Sequence, residues 1–212
     1  MLFRSNAFYV KVKDERRLYP ILKMDWIEGQ TLEEFFIKLY QIKDKPKIIS
    51  QIKENFKKVI EQMDELKIAH GDLSPKNIML LDDYSIKLVD YDSFFIDRFI
   101  NSKMALMGDD DCQHPNRKNF RYDHKIDRFS TLVIYLMLSA VQEKPELLEK
   151  NKGEFIFKKG DYLRPEYSEI FQQIQKLSHV NRELANTVIQ YCKENHPNIE
   201  PLGTILKKIN QT

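Results

Sequence analysis

Cysteine is scarce in this chain. Two residues in 212, Cys112 and Cys192, stand far apart. A disulfide between them is possible but unmotivated, and reduced thiols in a cytoplasmic protein are the favoured reading. Long apolar runs are missing as well. None approaches the roughly 18 residues a membrane span needs, so no transmembrane helix is expected. The opening Met1-Leu2-Phe3-Arg4-Ser5-Asn6 is too short and too polar for a signal peptide. An excess of one charge is also absent: 34 basic against 32 acidic side chains leave a net charge of +2. That balance argues against nucleic acid or an anionic membrane as the main partner. There is no Gly-rich phosphate-cradling loop, no internal repeat and no low-complexity segment.

What is present is ordinary for a water-facing globular chain: 42% apolar and 31% charged residues, enough for a real core in one domain or two small ones. Phe8 to Val12 is aromatic and β-branched, and predicts a strand. Leu18 to Trp26 predicts a second, with Pro20 at an edge or entry position. Thr31-Leu32-Glu33-Glu34 has capping-box spacing and opens a helix to about Tyr40. Ile48, Ile49, Ile52, Phe56, Val59, Ile60 and Met63 recur at helical spacing along a long helix, about Lys47 to Leu66. Two short strands, Asn77 to Leu80 and Ile86 to Asp90, follow around the turn formers Asp82 to Ser85. Residues 93 to 126 are irregular by pattern. Phe129 to Val141 has no room for a solvent face and should be a buried central helix. Gly153 to Pro165 reads as loop. Glu166 to Leu177, Arg182 to Glu194 and Leu202 to Ile209 read as helices.

The residues that suggest chemistry lie between the long helix and the irregular stretch. Ala69-His70-Gly71-Asp72-Leu73-Ser74-Pro75-Lys76-Asn77 sets an Asn five positions after an Asp. Asp90, in Leu88-Val89-Asp90-Tyr91-Asp92, follows 18 positions after Asp72, and Asp127, in Asp127-Arg128-Phe129-Ser130, 37 positions after Asp90. This order and spacing resemble the protein-kinase fold, whose catalytic loop reads H-R-D-L-x-x-x-N and whose metal-binding element reads D-F-G. The likeness is closest to bacterial kinase-like proteins with an M-D-W hinge, an A-H-G-D-L loop and an L-V-D-Y-D strand, and covers roughly residues 18 to 140. It implies a mainly α (α+β) fold: a kinase-like C-terminal lobe over 30–212, with a residual N-lobe hairpin and hinge over 1–29.

The resemblance implies ATP and Mg²⁺ as cofactors. Asp72 would be the catalytic carboxylate that orients an attacking hydroxyl, and Lys76 would neutralise the γ-phosphate, unless it is a plain surface lysine. Asn77 and Asp90 would ligate metal. Asp92, in the place of the D-F-G glycine, would either add a metal carboxylate or face solvent. Met24 would be the gatekeeper, the backbones of Asp25 and Ile27 would meet the adenine edge, and Met79 would form the floor beneath it; the alternative is that Met24 and Met79 are ordinary core residues. Asp127 would hold the catalytic loop through backbone hydrogen bonds. His70 is expected to pack or hydrogen-bond next to Tyr91 and Asp127. His114-Pro115 stands in the place of the A-P-E element, and His114, His124 and Cys112 lack the fourth ligand of a zinc site.

Three departures from the kinase pattern bear on activity. The phosphate-gripping strand lysine, its Glu partner and the Gly-rich loop have no assigned residues, since only 23 residues precede Met24. D-F-G is Asp-Tyr-Asp. His-Gly-Asp lacks the arginine that pairs with a phosphorylated activation loop, so that switch is not expected. The expected function is γ-phosphoryl transfer to a hydroxyl, most simply of a protein. The alternatives are a pseudokinase or truncated kinase that acts by binding, and a small-molecule kinase like those for aminoglycosides or choline. Expected partners are nucleotide and a protein substrate or partner covering the open apolar top of the lobe, with a homodimer mate as one form of cover.

Overall fold

The computed structural model describes residues 6–12, 15–21, 26–96, 98, 108–150 and 152–211. Among them the chain is mainly helical, with a two-stranded hairpin and a small three-stranded sheet. The hairpin joins β1 (Asn6–Val12) to β2 (Glu15–Ile21), antiparallel from Asn6↔Ile21 to Val12↔Glu15. Pro20 sits within β2 opposite Ala7, which a two-stranded ribbon tolerates because each strand has one unpaired edge. The second strand thus ends before Trp26. Residues 22–25 fall outside the described set, and Trp26 to Glu28 carry no regular structure.

Thr31 ends β3 (Gln30–Thr31) and caps α1 (Leu32–Lys38). Its hydroxyl accepts from the Glu34 N–H at 3.1 Å, and the Glu34 carboxylate accepts from the Thr31 N–H at 2.9 Å. Two otherwise orphaned helix donors are satisfied, and Leu32, Phe35 and Phe36 turn inward. The helix stops two residues short of Tyr40 and gives way to a 3₁₀ turn over Leu39–Gln41. α2 (Lys45–Glu65) buries Ile49, Ile52, Phe56, Ile60 and Met63, the apolar face its spacing predicts.

After α2 come β4 (Ile78–Leu80) and β5 (Ile86–Leu88), antiparallel with β4 in the centre of the order β3-β4-β5. The register pairs Thr31 with Met79 and Ile78 with Leu88. α3 (Arg128–Glu143) is the axis of the molecule: every residue from Phe129 to Val141 is buried, and it packs against both α2 and a later helix, α7 (His179–Lys193). Between them lie α4 (Glu146–Lys150), α5 (Lys159–Leu163) and α6 (Glu169–Ile174); α8 (Leu202–Ile209) closes the chain against α2. The expected loop from Gly153 to Pro165 therefore contains a short helix. The helix expected from Glu166 begins instead at Glu169, because the Ser168 hydroxyl caps it from Phe171 N–H at 3.3 Å. No described helix is long and apolar enough to cross a membrane.

Candidate functional site

The Asp72 loop is built from the backbone outward. α2 ends, the chain turns at Lys67, and Ala69 pairs with Phe95 in an isolated bridge. The next two residues donate their N–H groups to one buried carboxylate, that of Asp127 at the threshold of α3. His70 N–H meets Asp127 Oδ2 at 2.5 Å, and Gly71 N–H meets both oxygens at 3.0 and 3.1 Å. The backbone bonding expected of Asp127 is present. The His70 ring is buried between these anchors. Its Nε2 donates to the Val89 carbonyl at 2.7 Å, and its ring lies 5.6 Å from that of Tyr91. Its place is structural, as the sequence suggested.

Position 71 admits only glycine. Its φ is +84°, and a Cβ there would lie 1.8 Å from the Ser93 carbonyl oxygen. The arginine of the His-Arg-Asp pattern has no room in this backbone. A different arginine serves the loop. Arg117, 3% exposed, donates to the Gly71 carbonyl, to the Ile126 carbonyl at 2.9 Å and to Gln113 Oε1 at 2.6 Å. Burial pulls its guanidinium below the ordinary arginine range, and the carboxylates of Asp127 and Asp72 oppose that. The sequence reading missed Arg117. Its only signal was a cation shortly after His114-Pro115 in a stretch with no periodicity.

Gly71 thus has its N–H held by Asp127 and its carbonyl by Arg117, and Asp72 follows directly. The Asp72 side chain is half-buried. Its Oδ1 accepts the N–H of Asp109 at 3.0 Å, and its carbonyl accepts Asn77 Nδ2 at 2.8 Å. That second bond closes the loop and commits the amide nitrogen of Asn77, leaving Oδ1 as its free coordinating atom. Lys76 is exposed, with its ammonium 3.0 Å from Asp109 Oδ2 and 3.9 Å from Glu33 Oε1. The hydrogen bond that Lys76 donates to Asp109, and then the charge of that carboxylate, hold Lys76 above the usual lysine range. Cys112 lies close by but is fully buried, and burial pushes its thiol well up, so it is no nucleophile at neutral pH.

Asp90 comes next to Asn77 through the ladder, since Val89 N–H donates to the Asn77 carbonyl at 3.0 Å. Asp90 adopts φ +64°, a left-handed conformation that only a few residue types accept readily. The Asn77 and Asp90 oxygens suit a hard divalent cation such as Mg²⁺. Asp92 is exposed. Among the described residues no group of three or more His, Cys, Asp and Glu gathers around one point, and His114, His124 and Cys112 form no such set.

Of the expected adenine contacts, Met24 and Asp25 lie outside the described residues. Ile27 is half-buried in the irregular run before β3. Met79 is half-buried on β4 and approaches the same run: a Cβ on Gly29 would sit 3.6 Å from Met79 Cε. Met79 thus lies against Gly29, two residues after Ile27. Beside the loop, Glu33, Pro75, Lys76, Asp109, Glu154 and Phe155 line part of a cavity of about 360 Å³. A roomier cavity of about 590 Å³ lies between α1 and α4 and shares Ile37 with the first, but none of the expected site residues lines it.

Compared with models of known protein families and with curated proteins, the sequence matches none.

Proposed function

We propose that this chain is the catalytic lobe of an ATP- and Mg²⁺-dependent, protein-kinase-like phosphotransferase, acting on a hydroxyl acceptor, most simply one on a protein. The observation that carries the reading is the clamp at the head of the loop: one buried carboxylate, Asp127, binds two consecutive backbone N–H groups and so fixes where Asp72 stands. Structure of that kind is costly to assemble for a merely solvated aspartate. The left-handed turn at Asp90, next to the strand residue Val89 that bonds Asn77, places a second carboxylate at the end of the same hairpin.

In this reading Asp72 accepts the proton of the acceptor hydroxyl as its oxygen attacks the γ-phosphorus. The bond from that phosphorus to the bridging β-phosphate oxygen breaks, ADP leaves, and the proton passes from Asp72 to solvent. Lys76 offsets charge on the transferring group. Asn77 and Asp90 would hold Mg²⁺, which supplies positive charge to the phosphates when bound. Met79 and the Ile27 backbone would receive the adenine.

The test is Asp72→Ala, assayed for transfer of the labelled γ-phosphoryl of ATP to protein and small-alcohol acceptors. Loss of transfer by at least a hundredfold, with a thermal midpoint within about 2 °C of the parent, is expected. A mutant as fast as the parent rules the reading out. A second reading, a kinase-like binding module without catalysis, is favoured by the pairing of Lys76 with Asp109 and Glu33. It requires that ATP with Mg²⁺ produce no thermal stabilisation.

A further inference from the structure

Asp109 touches the site with both of its polar parts. Its N–H donates to Asp72 Oδ1, and its carboxylate accepts from Lys76, each at 3.0 Å. Gly108 comes so close that a Cβ there would lie 2.8 Å from the same Asp72 oxygen. Asp109 is itself held. Its Oδ1 accepts the Asp111 N–H at 3.1 Å, in a 3₁₀ turn over Asp110–Cys112. The far side of that turn is fastened to α5: Lys159 N–H donates to Asp111 Oδ1 at 2.9 Å, Lys159 Nζ to Asp110 Oδ2 at 2.8 Å, and the buried Tyr162 hydroxyl to the Asp111 carbonyl at 2.7 Å. With the turn docked on α5, these contacts set the Asp109 carboxylate beside Lys76.

We propose that Asp109 is a built-in anionic competitor: it occupies the Lys76 ammonium, and one oxygen of Asp72, where the γ-phosphoryl group and its acceptor would bind. The inference rests on the reading of Asp72 and Lys76 as phosphoryl-transfer groups. A carboxylate and a phosphate compete for the same cation through the same charge-assisted hydrogen bond. The ammonium is largely exposed, so the internal pair is weak enough for a triphosphate to displace. Transfer then requires the Asp109 side chain to leave Lys76, and whatever moves the turn over Asp110–Cys112 away from α5 would favour that step.

The experiment measures binding of Mg²⁺ with ATP, and of Mg²⁺ with ADP, by chemical-shift titration of the whole chain. Asp109→Asn keeps the shape and the N–H donor and removes only the charge; Asp109→Ser gives the same comparison if the first variant unfolds early. Both should bind ATP about three- to fivefold more tightly than the parent, the range expected of one exposed ion pair. ADP affinity should not change, because only the γ-phosphate reaches Lys76. Adding Lys76→Met should abolish the gain, and Asp82→Asn, which removes an exposed charge in the turn between β4 and β5, should give none. Equal ATP affinity in parent and variants, or an equal gain for ADP, overturns the inference and leaves the proposed function standing. Absence of ATP binding in every variant overturns both.

Discussion

At the scale of single residues, the site depends on a few side chains whose hydrogen bonds allow one protonation state. His114 is the clearest. It is 2% exposed, and its ring stacks near Phe120 and edge-on to Phe129. Nε2 faces the Tyr191 carbonyl at 2.9 Å and must donate; Nδ1 receives the Asn116 N–H at 3.0 Å and must accept. Only the neutral ring satisfies both, since a proton on Nδ1 would oppose the Asn116 donor. Burial, the largest cause, holds the His114 pKa below its usual 6.5, against the pull of the Tyr191 carbonyl and Glu194. A base with a depressed folded pKa binds fewer protons folded than unfolded, so stability rises with pH. The contribution is fully present above about 6.5 and is lost as pH falls through that value toward the folded pKa. The thermal midpoint of the parent should therefore drop more steeply from pH 7 to 5 than that of His114→Gln. Parallel curves would refute the assignment. None of this was legible in the sequence, where His114-Pro115 marked a break in pattern and stood in the place of the A-P-E element. Nor was Arg117, because an isolated arginine in an aperiodic stretch gives no sign that its partners are carbonyls 9 and 46 positions away.

At the scale of elements, what could be read was what local physics writes directly. The α1 cap follows from Thr31 and Glu34, and α2 follows from seven apolar residues at helical spacing. Asp72, Asn77 and Asp90 could be placed near one another because a short hairpin joins them. α5 was missed because five residues that include Gly160 carry too little periodicity, and its support comes from contacts with Asp110 and Asp111 far upstream. The apolar run of α3 predicted burial, and it is complete: Leu136 has no exposed surface. Leu136→Ala removes three buried carbons from close-packed surroundings and should cost about 3–5 kcal/mol, a large share of the roughly 5–15 kcal/mol a domain possesses. Leu163→Ala, at an exposed position of α5, should stay within about 0.5 kcal/mol of the parent. Urea denaturation measures both, and comparable losses would contradict the placement of α3 at the centre.

At the scale of the whole molecule, the question is what would hold an irregular loop as firmly as the core around it. The answer is that its anchors lie on buried elements. Asp127 precedes α3, Arg117 spans to Gly71 and Ile126, and Val89 at the end of β5 holds the His70 ring. α3 is fixed in turn by Arg128, which donates to Asp64 of α2 at 3.0 Å and to the Ile199 carbonyl before α8 at 2.9 Å. Opening the head of the loop thus means exposing a charged, hydrogen-bonded carboxylate and separating the main helices. Native-state hydrogen exchange reports this directly. The amides of His70 and Gly71, though outside any helix or strand, should exchange as slowly as those in the middle of α3. The amide of Asp109, bonded to the half-buried Asp72 carboxylate, should exchange far faster, since its turn can leave the site without unfolding α3. If His70 and Gly71 exchange as fast as Asp109, the loop opens locally and the Asp127 clamp does not fix Asp72. If all three are equally slow, the turn at Asp109 is part of the core and cannot give way to an incoming phosphate.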